Sequence, residues 1–340
     1  MSADNNKKYY LGIDQGGTKT AALICDLNGN ILGAGYDEGL GTKEQFTGIL
    51  DVSMKVCAQS GIKPEEIKSV CGGLSGADWE SDYPAMTESL ANALGMNITD
   101  VLVLNDCMIA CRGGTSSRNR AVVCAGTALN IGVRRADGKE FLYGYFISIN
   151  DIVNGGVSLG LAAFRAVAES YHGIRGHTML TDLVLNYTGH ANAEQLLFEL
   201  MTGRYNWNIT KLAPFVMQAN FEDDCEAIKI IDKFAKENAK YVKAAIKQVD
   251  IHNCDIDLVF SGGIFKNKGT LAADKIYQFI IESDASELNG CTINKIHARY
   301  EPVCGALLTL LDQRYDGDIP PKVTDNFNRG CEAFKLIRDI

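Results

Sequence analysis

The sequence predicts an α/β fold built from two variants of one unit, each a mixed sheet flanked by helices, with a cleft between them. Three observations lead there. A strand, a glycine-rich turn, a return strand and a hairpin open the chain at residues 9–33, and the same order restarts at Arg120. Apolar runs of strand length then alternate with segments of helical period, as in β–helix–β units. At 340 residues the chain suits two domains better than one.

Tyr9, Tyr10, Leu11 and Ile13 form the first strand, which delivers Asp14 into Gln15-Gly16-Gly17-Thr18-Lys19-Thr20. A second apolar run spans 21–25, and Asn28-Gly29 turns it into a third run at Ile31. Asn-Gly between two β-like runs is a strong hairpin signal, so the glycine turn joins strand to strand. That excludes the P-loop, which must open a helix. Gly12 and Gly17 have its spacing, but Thr18-Lys19 reverses its Lys-Thr order. A turn between strands can still cradle phosphate. Without Cβ atoms at Gly16 and Gly17, backbone N–H groups can approach an anion closely. Thr18 and Thr20 would add hydroxyl donors, Lys19 a cation, and Asp14 a carboxylate able to hold Mg²⁺ through water.

The third strand ends in a polar loop around Gly39-Leu40-Gly41-Thr42-Lys43-Glu44. Phe46, Ile49, Leu50, Met54 and Cys57 then recur at helical spacing over 43–60. A strand over 69–74 runs into Ser75-Gly76-Ala77-Asp78, and a helix covers 83–94. The strand at 101–104 ends on Asn105-Asp106, with a helix from Cys107 to about Gly113. Sites in such sheets lie beyond the carboxyl ends of parallel strands, where Asp106 and the Ser75-Gly76 turn fall. Aspartate is also a favoured helix N-cap, and both roles can coexist at Asp106. The small polar stretch 114–117 marks the domain boundary.

In the second half, the strand 121–125 enters Gly126-Thr127-Ala128-Leu129-Asn130 and returns over 131–134. Residues 155–250 are mostly helical, with helices expected at 160–171, 193–203 and 223–249. Lys229, Lys233, Lys236, Lys240, Lys243 and Lys247 stripe the last of these as a solvated face. A strand over 255–260 enters Ser261-Gly262-Gly263-Ile264-Phe265, followed by a helix at 271–283 and a short strand near 295–297. A helix opens at Pro302 and carries Gly305-Ala306. Pro320-Pro321 reads as a stop before a closing helix.

Composition narrows the function classes. Net charge −9 argues against nucleic acid or an anionic membrane as the main partner. No apolar run reaches spanning length and the opening residues lack a signal-peptide core, so a cytoplasmic protein is expected. Eleven cysteines are scattered singly with no C-x-x-C, which speaks against zinc or a disulfide framework. Most read as small buried thiols. An iron–sulfur cluster bridging two subunits would need only one or two per chain, and the sequence leaves a homodimer open.

Three glycine turns at strand ends, Gly16-Gly17, Gly126-Thr127 and Gly262-Gly263, with Asp106 at a fourth, could grip a nucleotide from both sides of a cleft. This ordered set resembles the actin, sugar kinase and heat-shock ATPase superfamily. Within it, the chain is similar to the N-acetylglucosamine kinase branch of the BadF/BadG/BcrA/BcrD-type ATPase family. The resemblance covers nearly the whole chain and implies two duplicated ribonuclease H-like (actin-like ATPase) domains. The first would span 1–117, with a helix from 316–340 as a candidate addition. The second would span 118–315 with a helical insertion.

By that resemblance ATP and Mg²⁺ are the cofactors. Asp14, Gly16, Gly17, Thr18, Lys19 and Thr20 would form the first phosphate motif, with Asp14 serving the metal, and Gly126, Thr127 and Ala128 the second. Gly262, Gly263 and Phe265 would belong to the adenosine motif, and Gly305-Ala306 to the helix linking the domains. Asp106 takes the place of the catalytic carboxylate. Lys43, Ser75, Asn105, Asn130 and Asp151 would face the acceptor, a sugar or amino sugar. Residues 174–181 also look like a segment common in this branch.

The departures fall on the acceptor side. Where the branch has Gly-Trp-Gly and then Gly-Asp-Glu-Gly-Ser, residues 144–158 diverge, with Asp151 as a stand-in for the acidic residue. Lys43 occupies the place of a sugar-contacting Asn and would suit an acid group on the substrate. Ala128-Leu129 replaces Gly-Ser, while Asn130 matches a sugar-binding Asn. The expected activity is phosphoryl transfer from ATP to a sugar hydroxyl. An ATPase that activates a partner enzyme and a sugar sensor without catalysis are the alternatives.

Overall fold

The computed structural model describes residues 7–17, 19–38, 45–144 and 155–338. Its first sheet contains β1 (Tyr9–Gln15), β2 (Lys19–Asp26), β3 (Ile31–Glu38), β4 (Ile67–Leu74) and β5 (Val101–Asn105), in the order β3-β2-β1-β4-β5. β1, β2 and β3 form the antiparallel meander, and β4 and β5 add parallel to β1. The Asn28-Gly29 turn is held by Asp26, whose Oδ1 accepts the N–H groups of Asn28 at 2.8 Å and Asn30 at 2.9 Å. Helices α1 (Gln45–Ser60), α2 (Asp82–Leu94) and α3 (Asp106–Gly114) alternate with these strands.

The second sheet repeats the plan. β6 (Arg120–Ala125), β7 (Leu129–Arg134) and β8 (Glu140–Leu142) are antiparallel, and β9 (Asp255–Ser261) and β10 (Thr292–His297) add parallel to β6, giving β10-β9-β6-β7-β8. Both sheets therefore carry one strand order, an α/β duplication. Between β8 and β9 lie α4 (Gly155–Tyr171), α5 (Met179–Thr188), α6 (Ala193–Met201), α7 (Ala213–Phe221) and α8 (Cys225–Gln248). The stretch 174–181 is used structurally. Asp224 caps α8 and also accepts from the Thr178 hydroxyl and the Met179 N–H, tying the starts of α5 and α8 together. The lysine stripe of α8 faces solvent except at Lys243, which turns in to Ser283 Oγ at 2.8 Å and to Glu287.

The chain then adds α9 (Thr270–Ile281), α10 (Pro302–Arg314) and α11 (Pro321–Ala333). Pro320-Pro321 starts a helix and does not stop one. Pro321 sits in the first turn of α11, where its missing N–H has no intrahelical partner to lose. Val323, Phe327 and Cys331 of α11 join Tyr10, Leu23 and Cys25 of the first sheet and the apolar face of α10 in one buried cluster. The other face of that sheet packs on α1 and α2 through Ile13, Ile49, Val56, Leu74 and Leu90. α3 lies between the halves: Cys107, Met108 and Cys111 pack on Val122 and Val259 of the second sheet, while Ile109 faces α10.

The α3–α10 contact is close enough to require glycine. A Cβ on Gly305 would lie 1.8 Å from the Ile109 carbonyl oxygen. The same helices are joined by Arg112, whose Nε and Nη2 reach the Asp312 carboxylate at 2.5 and 2.9 Å with the arginine side chain 7% exposed.

Candidate active site

β1 brings Asp14 to the carboxyl end of the first sheet, partly buried, beside the turn to β2. The turn is closed by the Gly16 N–H donating to the Lys19 carbonyl at 2.9 Å, so this amide shapes the loop. Gly17 is exposed, with open space where a Cβ would stand. Lys19 is exposed and lies 4.8 Å from the centre of the Tyr36 ring. Thr20 is 1% exposed, and its Oγ1 has no hydrogen-bond partner. Burial, followed by the charge of Asp106, pushes the Asp14 carboxyl up to about 7, partly countered by Lys19 and Arg338. Thr18 lies outside the described residues.

The second carboxylate comes from the junction of β5 and α3. The sequence allows Asp106 to be the helix cap, and the structure gives that task to its neighbour. Asn105 Oδ1 accepts the Cys107 N–H at 2.9 Å, which makes Asp106 the first helical residue. With Asn105 as the cap, the Asp106 carboxylate still lies beside the backbone N–H groups of Cys107 and of Asp106 itself, which favour its charged form. Burial, followed by the charge of Asp78, raises its carboxyl to about 6.

Asn105 is 1% exposed, and its Nδ2 donates to the Ala77 carbonyl at 3.2 Å and to Asp78 Oδ1 at 2.9 Å. Expected as an acceptor contact, it also holds Asp78 through this hydrogen bond. Its side chain is doubly engaged: one end caps α3 and the other holds the turn after β4. Asp78 also receives Asn130 Nδ2 from the second half at 3.5 Å. Asn130 Oδ1 accepts the N–H groups of Ile131 and Gly144 at 2.9 and 3.0 Å, which fixes its amide. Asp14, Asp78 and Asp106, with Asn130 opposite, thus form one carboxylate-rich group. Ser75, through its N–H, bonds the Gln15 carbonyl at 2.8 Å and joins the turns after β1 and β4.

Asp78 is the candidate site residue that motif reading passed over. The turn containing it is visible at the end of a predicted strand, but its partners lie 27 and 52 residues away and meet it only on folding. Lys43 and Asp151 lie outside the described residues.

The second turn, Gly126-Thr127-Ala128, is docked against the start of α4, where the Gly156 and Val157 N–H groups donate to the carbonyls of Gly126 and Thr127 at 2.8 and 3.1 Å. Thr127 and Ala128 are exposed. α4 therefore begins at Gly155, five residues before the predicted start, because its first turn is anchored by that contact. Beside it, β9 ends at Gly262, which has φ 103° and leaves no room for a Cβ, 2.1 Å from the Ala125 carbonyl oxygen. Gly262, Phe265, Lys266, His297 and Arg338 line a pocket at this point. Phe265, 4% exposed, is edge-on to Phe260 at 5.2 Å and forms the pocket's wall as part of the core. Gly263 has open space around its Cα.

Two glycine turns, a pocket at a third and a set of carboxylates therefore converge at the carboxyl ends of two like sheets. Among the described residues, no helix is long and apolar enough to cross a membrane. An N-acetylmuramic acid/N-acetylglucosamine kinase of Clostridium acetobutylicum is 27% identical over 266 residues, 76% of this chain and 86% of that protein. An N-acetyl-D-glucosamine kinase of Dictyostelium discoideum is 24% identical over 91% of this chain and 99% of its own length. In fold, the crystal structure of a candidate N-acetylglucosamine kinase from Chromobacterium violaceum superimposes with a TM-score of 0.65 at 19% identity, covering 90% of this chain and 99% of that one. The sequence profile of one family matches residues 11–309, so the chain belongs to the BadF/BadG/BcrA/BcrD ATPase family.

Proposed function

We propose that the protein is an ATP-dependent kinase that transfers the γ-phosphate to a hydroxyl of an amino sugar of the N-acetylglucosamine type. One observation carries this reading: Asp106 stands at the end of β5, with Asn105 as the helix cap, in a group with Asp78 and Asn130 and within electrostatic reach of Asp14. A hydroxyl brought to Asp106 can be oriented and deprotonated by it as the phosphoryl group arrives. A carboxyl raised to about 6 is still ionised at neutral pH and is a better proton acceptor than an ordinary aspartate.

The residues present fit a divalent cation near Asp14. Its carboxylate is held close enough to Asp106 for repulsion to raise its pKa, and the neighbouring Thr20 Oγ1 is buried without a partner. Asp14 would hold Mg²⁺, which when bound neutralises phosphate charge. The turns after β1 and β6 would position the phosphates, and Asn130 and Asp78 the acceptor. The partner-activating alternative needs cysteines at a subunit surface. Of the eleven, only Cys225, at the start of α8, is exposed.

The two relatives named above act, by name, on N-acetylated sugars, and one on an acidic one, while a third, 28% identical over 189 residues, is by name a glucosamine kinase. Lys43, in the place of a sugar-contacting Asn, supports including acidic acceptors. The test is ADP release across hexoses, hexosamines, their N-acetyl forms and N-acetylmuramic acid, with Asp106→Asn as control. An N-acetylhexosamine should stimulate wild-type turnover alone. No stimulation above the Asp106→Asn level by any sugar would overturn the proposal.

A further inference from the structure

The pocket at Gly262 contains a buried cation that comes from far along the chain. After α11, residues 336–338 run antiparallel to residues 299–301. Tyr300 and Ile337 form a bridge, the Glu301 N–H donates to the Leu336 carbonyl at 2.9 Å, and the Arg338 N–H donates to the Arg299 carbonyl at 2.8 Å. This fixes the backbone of Arg338, whose side chain is 8% exposed. Its Nη1 donates to Ser261 Oγ at 3.0 Å. Its Nε lies 3.4 Å from Glu301 Oε1 yet makes no hydrogen bond. Lys266 approaches the same carboxylate oxygen at 3.5 Å.

The guanidinium is therefore only partly satisfied, at a place defined by both glycine turns of the second sheet. Ser261 pairs with Cys124 in the β9–β6 register, two residues before Gly126, and immediately precedes Gly262. Arg338 and Glu301 also both act on the Asp14 carboxyl, which places this pair toward the first phosphate turn as well. A buried arginine that lines a pocket and keeps an N–H without a hydrogen bond is suited to a multiply bonded anion such as a phosphate group.

We propose that Arg338 binds the phosphate chain of the nucleotide, and that Glu301 holds the guanidinium in place and gives it up when the nucleotide enters. This rests on the nucleotide reading of the pocket. It assigns a ligand-binding role to a segment outside the residues matched by the family profile.

Calorimetric titration of the full chain with ADP and, separately, with adenosine tests it. Arg338→Gln should weaken ADP binding tenfold or more and leave adenosine within twofold of wild type. Glu301→Gln should tighten ADP binding threefold or more without changing adenosine, and it decides the matter if Arg338→Gln fails to fold. Equal losses for ADP and adenosine in Arg338→Gln, or ADP binding unchanged or weakened in Glu301→Gln, would overturn the proposal while leaving the pocket's nucleotide assignment intact. Wild-type protein binding neither compound would overturn that assignment, and the role of Arg338 with it.

Discussion

The two halves share a strand order but have divided the chemistry unequally. In the first sheet, the ends of β1 and β5 and the turn after β4 carry Asp14, Asp106 and Asp78. At the ends of β6 and β10 and in the turn after β9 of the second sheet stand Cys124, Ala298 and the uncharged run from Gly262 to Phe265. The charged set gives a site that can hold a cation and accept a proton, and its repulsions raise the pKa of Asp14 and Asp106. The uncharged set leaves room for a flat, neutral group against Phe265 and His297. Duplication supplied one scaffold twice, and the two copies carry different side chains at their strand ends, charged in the first and uncharged in the second.

The sharpest way to break this contrast is Asp106→Asn. It should lower kcat by about a thousandfold while ADP affinity, which the proposal assigns to the glycine turns and not to Asp106, stays near wild type. A parallel loss of ADP binding in calorimetry would show that the division is wrong. Next in size, Gly262→Ala forces a Cβ into the Ala125 carbonyl and should weaken ADP by about tenfold or more. Gly76→Ala, after β4, shares the positive φ (89°) and its backbone strain but meets nothing within 4 Å, so without the clash it should affect ADP far less.

A smaller effect probes Asp78. Because its charge helps raise the Asp106 carboxyl, which must be ionised to accept a proton, activity should fall as pH drops below about 6. Asp78→Asn should move that acid limb of the kcat profile to lower pH. A limb that stays in place would remove Asp78 from the site.

The smallest effect concerns stability without ligand. Asp106 has its folded-state pKa raised to about 6, so the folded chain binds its proton more tightly than the unfolded chain does. Its contribution favours folding at low pH and is lost as pH rises from about 4 through about 6. At pH 8, Asp106→Asn should therefore stabilise the ligand-free protein by about 1 kcal/mol, measured by thermal or urea unfolding. An inactive variant that is also less stable would contradict this.

Local chemistry made much of the scaffold legible. Asn28-Gly29 announced the hairpin, the Thr-Lys order excluded a P-loop, and the apolar runs placed the strands. α7 was not legible, because Pro214, Phe215 and Phe221 put apolar residues on its more exposed side as well, so that its sequence shows no one-sided stripe. α5 lay under a motif whose sequence says nothing of its pairing with Asp224. In the site, residues at strand ends could be named from the turn pattern. The allocation of tasks could not: whether Asn105 or Asp106 caps α3 depends on one hydrogen bond, and Asp78 and Arg338 enter the site only through partners far along the chain.

The Arg112–Asp312 pair and the glycine contact beneath it bear on how this enzyme can change. α3, with Asp106 at its first residue, is clamped to a helix that starts almost two hundred residues later. Arg112 is buried and Asp312 only partly so, and removing either partner leaves the other's charge without its bidentate bond, so the clamp resists drift. The positions where this chain departs from its family's acceptor pattern, Lys43 and the 144–158 stretch, lie outside both helices. New acceptor specificities can therefore be tried in those segments while Asp106, the carboxylate proposed to receive the proton, is kept where it was.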